Sequence, residues 1–290
     1  MTLLPPGATV DHVTTRYGRL RLLRAGTARA GVEPVLLIHG GGYDNSAISW
    51  YRLVRPLAEQ WEVWAVDLPG FGGSMAAPAV GGPTAMADVV AAVMDAVGLG
   101  PAAVVGVSMG GDVALNLALR APERVARLVL VGPGGLVPRL PGRTAQFWAW
   151  CGVQLPDPVL RPATRLANRF ARTALRGFVN DVGTLPTEVV DEFVREARRP
   201  GAGLAYGRYN QATIGRHGMT NDLTGRVAGI TVPTLFFHGA DDPLVDPQGS
   251  VRAAEAMPRA ELIMVPNCGH WAQLEAHDRF LPAIEEFCSP

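Results

Sequence analysis

The run Gly106-Val107-Ser108-Met109-Gly110-Gly111 sets a serine hydroxyl between glycines two residues away on either side. It follows the apolar run Ala103 to Val107 and leads into Gly111 to Ala121, whose composition reads as a helix. A strand-to-helix turn this tight tolerates almost no neighbouring side chains, and it holds the Ser108 hydroxyl out at the sheet edge. The helix that follows aims its positive end at the same point, which favours negative charge developing there. The chemistry this suits is nucleophilic attack on a carbonyl. A serine hydroxyl is a weak nucleophile near neutral pH, so it needs a base in reach and a group to orient that base. His270, in Asn267-Cys268-Gly269-His270-Trp271, is the candidate base, because its loop follows the apolar run Leu262 to Val265 and carries a glycine just before it. The candidate acid lies in Gly239-Ala240-Asp241-Asp242-Pro243-Leu244-Val245-Asp246-Pro247, after Thr234 to His238. Asp242 is placed at the tip of that turn; Asp241 is expected to bond the turn's own backbone, and Asp246 is next in line. His238 reads as a satisfied core residue, and His12, His217 and His277 as solvated ones.

Carbonyl attack puts negative charge on oxygen, and fixed N–H donors at that position are usually the largest single contribution to the rate. The loop His39-Gly40-Gly41-Gly42-Tyr43 is bare enough for its backbone to approach a substrate. Gly41 N–H and Met109 N–H are the expected pair of donors, with His39 bracing the loop. No Gly-Lys-Ser/Thr follows these glycines, so they do not form a phosphate-cradling loop. The glycines of Asp67-Leu68-Pro69-Gly70-Phe71-Gly72-Gly73-Ser74 have the wrong spacing for a dinucleotide fingerprint and read as a tight turn.

The elements that must carry these loops alternate. Short apolar runs at Val35 to Ile38, Val63 to Val66, Ala103 to Val107, Leu128 to Val131, Thr234 to His238 and Leu262 to Val265 read as fully buried strands. Trp50 to Glu59, Met86 to Val97, Gly111 to Ala121 and Pro247 to Met257 read as helices between them. The fold class is therefore α/β, a mostly parallel central sheet with helices on both faces. After Gly132 the rhythm breaks in a stretch dense in Pro and Gly, then turns Arg-rich and helical in pattern until strand signals return at Ile230. Residues 133–230 are thus expected to be a helical cap inserted between a first core part, 1–132, and a second, 231–290. Ligands of parallel sheets bind outside the carboxyl ends of the strands, so the cap is where substrate selection is expected. Gly42, Val107, Trp148 and Trp271 are expected to line the pocket, while Phe147, Trp148 and Trp150 suit simple cap packing equally well.

Composition narrows the partners. Lys+Arg 26 balances Asp+Glu 26, and every one of those cations is Arg, so neither nucleic acid nor Schiff-base lysine chemistry is expected. Cys151, Cys268 and Cys288 lack metal-ligand spacing and are odd in number, which argues against a zinc site or a disulfide framework and suits a reducing cytoplasm. No cofactor fingerprint is present, no stretch is long and apolar enough to span a membrane, and the amino-terminal residues do not read as a leader. The expected partner is a small, fairly neutral molecule, with a homo-oligomer left open.

Taken together, His39-Gly40-Gly41-Gly42, Ser108-Met109-Gly110-Gly111, Gly132-Pro133-Gly134-Gly135-Leu136 and Cys268-Gly269-His270-Trp271-Ala272-Gln273 resemble the α/β-hydrolase superfamily over nearly the whole chain. Within it they are similar to the meta-cleavage-product hydrolases, which cut carbon–carbon bonds in vinylogous diketones. The order Ser, Asp, His along the chain is the one that fold uses. This sequence departs from the subgroup where its elbow usually carries Asn, here Val107. The subgroup's polar residue after the oxyanion loop would fall near Ser49, and its cap Arg near Val194 or Arg195. Without those polar partners for a diketone's carboxylate and enol oxygens, the expectation moves to a small to medium, largely apolar carboxylic ester or lactone. Carbon–carbon hydrolysis is the first alternative. A non-hydrolytic acyltransferase or perhydrolase, or a ligand-binding protein on the same fold, are the others.

Overall fold

The computed structural model describes residues 2–156, 158, 159, 162, 166 and 168–289. The chain opens with a hairpin, β1 (Thr9–Thr15) and β2 (Gly18–Ala25), then continues through β3 (Val35–Ile38), the short helices α1 (Ser46–Ser49) and α2 (Val54–Leu57), β4 (Val63–Val66) and α3 (Pro83–Val97). Next come β5 (Ala102–Val107), α4 (Met109–Arg120) and β6 (Val125–Val131). Helices then follow, with no strand among the described residues: α5 (Arg143–Val153), α6 (Ala171–Ala174), α7 (Thr187–Ala197) and α8 (Leu204–Thr213). The sheet resumes with β7 (Thr234–Gly239), α9 (Pro247–Ala256), β8 (Ala260–Val265), α10 (Ala272–Glu275) and α11 (His277–Cys288).

The strands form one sheet in the order β1-β2-β4-β3-β5-β6-β7-β8, antiparallel across β1, β2 and β4 and parallel elsewhere. Its register matters for function. Ile38 pairs with Gly106, Val107 with Val131, Val131 with Phe237, and Gly239 with Val265. The loops at 39–43, 108, 132–135, 240–246 and 266–271 therefore leave the sheet at one edge, the carboxyl ends of the parallel strands.

Successive strand residues face opposite sides, and each side has its own apolar core. Leu36, Ile38, Val104, Leu128 and Leu130 pack with α3 and α4 through Met86, Val90, Val113 and Leu117. Val35, Leu37, Val105, Val129 and Val131 pack on the other face with Trp50, Leu57, Phe280 and Ile284. A third cluster joins the helical segment between β6 and β7 to the sheet's edge: Leu175, Val189 and Phe193 meet Ile48, Trp271 and Leu274.

Two elements differ from the sequence reading. The hairpin β1–β2 was not among the expected strands: β1 is exposed at most positions, so it lacks the apolar signal of the buried strands. In place of one helix over 50–59, the Asn45 side chain accepts Ala47 N–H and Ile48 N–H and starts α1 early, and Trp50 ends it. Pro56, which has no N–H to give, then sits in the single turn of α2.

Candidate active site

Ser108 occupies the turn between β5 and α4 with φ of +54° and ψ of −118°, a conformation that L-residues with side chains rarely hold. The packing around it enforces the turn. A methyl at Gly106 would lie 2.3 Å from Gly110 O, and one at Gly110 would lie 2.2 Å from Ile38 O. Ser108 N–H donates to Val131 O at 2.9 Å, and its carbonyl accepts Gly134 N–H at 2.9 Å and Asp112 N–H at 3.1 Å. These bonds tie the serine to the end of β6, and the end of β6 adjoins the other candidates. A methyl on Gly132 would stand 3.1 Å from Asp242 Oδ2 and 3.3 Å from His270 Nδ1.

His270 Nδ1 donates to Asp242 Oδ2 at 2.6 Å, both side chains being buried. Asp242 Oδ1 accepts Leu244 N–H at 2.8 Å and Val245 N–H at 3.0 Å, and Oδ2 also accepts from His238 Nε2 at 3.0 Å. Burial alone would push this carboxyl up. The hydrogen bonds from His238 and His270, the charge of His270 and the Val245 N–H outweigh it and hold Asp242 below the usual carboxylate range. The rival acids stand elsewhere. Asp246 caps α9 by accepting Gln248 N–H at 3.0 Å, and Asp241 accepts from Asn180 Nδ2 at 2.9 Å. Asp241 was expected to bond its own turn and instead reaches the helical segment.

The histidine loop is held from both sides. His270 N–H and Trp271 N–H both donate to Phe178 O, at 2.7 and 3.1 Å. Glu275 Oε2 accepts Gly269 N–H at 2.7 Å, while its Oε1 accepts Asn180 N–H and Asp181 N–H at 2.8 and 2.9 Å. Beside His270, burial and the Glu275 carboxylate push the Cys268 thiol up to about 12, so it stays protonated and is no rival nucleophile. His277 is partly buried, unlike the solvated reading, and burial lowers it.

In the glycine loop, Gly40 N–H donates to Asp44 Oδ2 at 3.0 Å, and the same oxygen accepts Ser49 Oγ–H at 2.5 Å. Burial pushes the Asp44 carboxyl up. His39 Nε2 accepts Leu68 N–H at 3.0 Å, so its proton sits on Nδ1, which donates to Gly40 O at 2.7 Å. His39 is thus committed at both nitrogens to bracing the loop that carries Gly41. Met109, the first residue of α4, has no carbonyl within its helix to receive its N–H.

A cavity of about 360 Å³ adjoins the glycine loop, lined by Gly42, Tyr43, Phe178, Phe193, Leu204 and Tyr206 among others, with Arg208, Asn210 and Gln211 also in its lining; Ser108, Asp242 and His270 are not part of that lining. It meets the site at two points. Tyr206 packs so closely on the glycine loop that a methyl on Gly41 would lie 2.2 Å from its ring, and Phe178 has its ring centroid 6.3 Å from that of His270.

Three expected pocket residues are placed differently. Trp148 is 67% exposed and outside that lining, because α5 turns it to solvent. Val107 alternates into the second core, below Gly40. Trp271 is buried behind the lining and packs edge-on against Phe193, 5.5 Å between centroids. Gly42 does line the cavity. Arg195, which with Val194 was expected near the subgroup's cap Arg, is tied to Glu192 and Glu196 and is not part of the lining, and Ser49 is spent on Asp44. The walls that sequence reasoning missed, Tyr43, Phe178, Phe193 and Tyr206, carry no local signal; long-range packing brings them together. Among the described residues no group of three or more His, Cys, Asp and Glu could hold a metal ion.

Residues 33–277 match the family model for the α/β-hydrolase fold. The chain belongs to that family. This α/β hydrolase is 33% identical over 259 residues to the 2-hydroxymuconate semialdehyde hydrolase of Pseudomonas sp. strain CF600, covering 88% of this chain and 86% of that one. Among solved structures it is similar to the meta-cleavage product hydrolase from Pseudomonas fluorescens IP01, with a TM-score of 0.76, 26% identity and 96% of each chain covered. It also shares its fold with carboxylesterase CesB from Bacillus subtilis, with a TM-score of 0.77, 22% identity, and 98% of this chain and 92% of that one covered. No helix among the described residues is long and apolar enough to cross a membrane.

Proposed function

We propose that this hydrolase cleaves a small to medium, largely apolar carboxylic ester or lactone, with Ser108 as nucleophile, His270 as general base and acid, and Asp242 orienting the imidazole. The observation that carries this reading is the apolar cavity walled by Tyr43, Phe178, Phe193, Leu204 and Tyr206, of which Phe178 neighbours the His270 ring and Tyr206 packs on Gly41. An apolar acyl or alcohol group is stabilised there by burial, at about 25 cal/mol per Å² removed from water. His270 Nε2 takes the Ser108 proton as Oγ attacks the carbonyl carbon. Gly41 N–H and Met109 N–H receive the oxyanion, and losing one such donor costs roughly two to three powers of ten in rate. Collapse expels the alcohol with the proton from His270, and water activated by His270 then releases the acid. Residues 133–230 act as the cap that selects the acyl group.

A second reading, hydrolysis of a carbon–carbon bond in a diketone, is favoured by the names of two relatives at 33% identity, 2-hydroxymuconate semialdehyde hydrolase and 2-hydroxy-6-oxononadienedioate/2-hydroxy-6-oxononatrienedioate hydrolase. Val107, Ser49 and Arg195 count against it, since none offers the cavity a polar group. The two separate in one assay. Wild-type protein and Ser108→Ala are compared on p-nitrophenyl esters of increasing acyl length and on a 2-hydroxy-6-oxo-dienoate. Ester turnover lost in the variant and exceeding diketone turnover is the expected result. Diketone kcat/KM a hundredfold above that of any ester transfers the assignment to the second reading, and turnover that survives in Ser108→Ala overturns both.

A further inference from the structure

Asp242 has two histidine partners, and the proposed chemistry uses one of them. The other, His238, is next to last in β7, four residues before the acid, is fully buried, and brings Nε2 to 3.0 Å from the same Oδ2 that His270 Nδ1 approaches at 2.6 Å. Its ring has one proton arrangement that satisfies every neighbour. Nε2 faces two acceptors, Asp242 Oδ2 and, at 3.3 Å, Val245 O, so it must carry a proton. Nδ1 stands 2.8 Å from the Ser250 hydroxyl, which can donate to it. Ser250 itself is buried on α9, the helix that Asp246 caps. The series Ser250 Oγ–H to His238 Nδ1, and His238 Nε2–H to Asp242 Oδ2, therefore runs from a core helix into the candidate acid.

We propose that His238 is a positioning residue for the reaction, a second N–H donor that aims Asp242 at His270; this rests on the triad reading above. With Leu244 and Val245 N–H on Oδ1 and two imidazoles on Oδ2, the carboxylate has four donors and one orientation that keeps them all.

His238→Phe fills the space but donates nothing, whereas His238→Gln can return an N–H at the Nε2 position. In His238→Phe, kcat on a p-nitrophenyl ester is expected to fall about tenfold with KM within twofold. His238→Gln is expected to recover most of that loss. A residue that only fills the core would not separate Gln from Phe in kcat alone. An unchanged kcat in His238→Phe, or Gln no better than Phe, overturns the proposal. A readout independent of turnover is ¹⁵N-histidine NMR of the wild type at pH 7, assigned through His238→Gln. His238 in the Nε2–H tautomer with a strongly deshielded proton is expected; the Nδ1–H tautomer overturns the proposal. Retained turnover in Ser108→Ala would instead remove the triad reading and leave the tautomer result standing by itself.

Discussion

Three aspartates crowd the turn after β7, and hydrogen bonds divide their labour: Asp242 holds His270, Asp246 caps α9 and Asp241 meets Asn180. Asp242→Asn leaves the volume unchanged but lets the amide turn either face to His270, so kcat on an ester is expected to fall by about 10³ to 10⁴ with little change in KM. Asp246→Asn should keep near wild-type kcat, because asparagine caps a helix nearly as well. Steady-state kinetics on the two variants check the assignment; comparable losses in both would contradict it. Much of this scale was legible in the chain. Glycine on either side of Ser108 reports backbone contacts that any side chain would break, and those contacts are local to one turn. The partnership of His238 with Asp242 was not legible, because a histidine ending a buried strand reads as core until its ring nitrogens are placed.

Among the elements, α8 links the cavity to both halves of the site. It lays Tyr206 on Gly41 and stacks that ring on Tyr209, which donates to Asp112 Oδ2 at 2.7 Å in the first turn of α4. Asn116 Nδ2 donates to Asp112 Oδ1, and Asn221 to Oδ2. Burial raises Asp112 from an ordinary 3.8 to about 7, these hydrogen bonds offsetting only part of the effect. The folded state binds this proton more tightly than the unfolded chain does, so by linkage stability is lost as pH rises from about 4 to about 7, at about 1.4 kcal/mol per pH unit. Asp112→Asn removes that loss. Its melting temperature relative to wild type is expected to be about 3 to 6 °C higher at pH 8 than at pH 5, measured by calorimetry, and a pH-independent difference would contradict the raised value. On the opposite side, Glu275 gathers three backbone N–H groups from the histidine loop and from residues 180 and 181. Glu275→Ala leaves all three without that acceptor, so a drop of about 2 to 5 °C in melting temperature with a lower kcat is expected. An unchanged kcat would detach this clamp from the site. The alternation of strands and helices was readable because buried parallel strands are apolar throughout. The exposed β1 was not, since pairing with β2 rather than burial makes it a strand.

At the level of the whole molecule, the helical segment between β6 and β7 supplies most of the cavity wall, while the sheet's edge supplies Ser108, Asp242 and His270. Sequence reading put Trp148 in the wall. An aromatic cluster at helical spacing does not reveal which face meets the core, and here Phe178, Phe193 and Tyr206 from elsewhere in the segment take that place. Truncating the wall should therefore change which substrates fit while leaving the chemistry intact. In Phe193→Ala, the acyl length giving the highest kcat/KM on p-nitrophenyl esters is expected to increase by about two carbons or more, and a uniform loss at every length would count against selection by this cavity. The most direct test of the central claim, that Ser108 is the nucleophile of a hydrolytic site, is intact-mass spectrometry with peptide mapping after exposure to an alkyl fluorophosphonate. One adduct per chain, on Ser108, formed in step with the loss of ester turnover and absent from Ser108→Ala, is the expected result. Ester turnover that persists in the fully exposed protein, or an adduct on another residue that abolishes it, would contradict the claim.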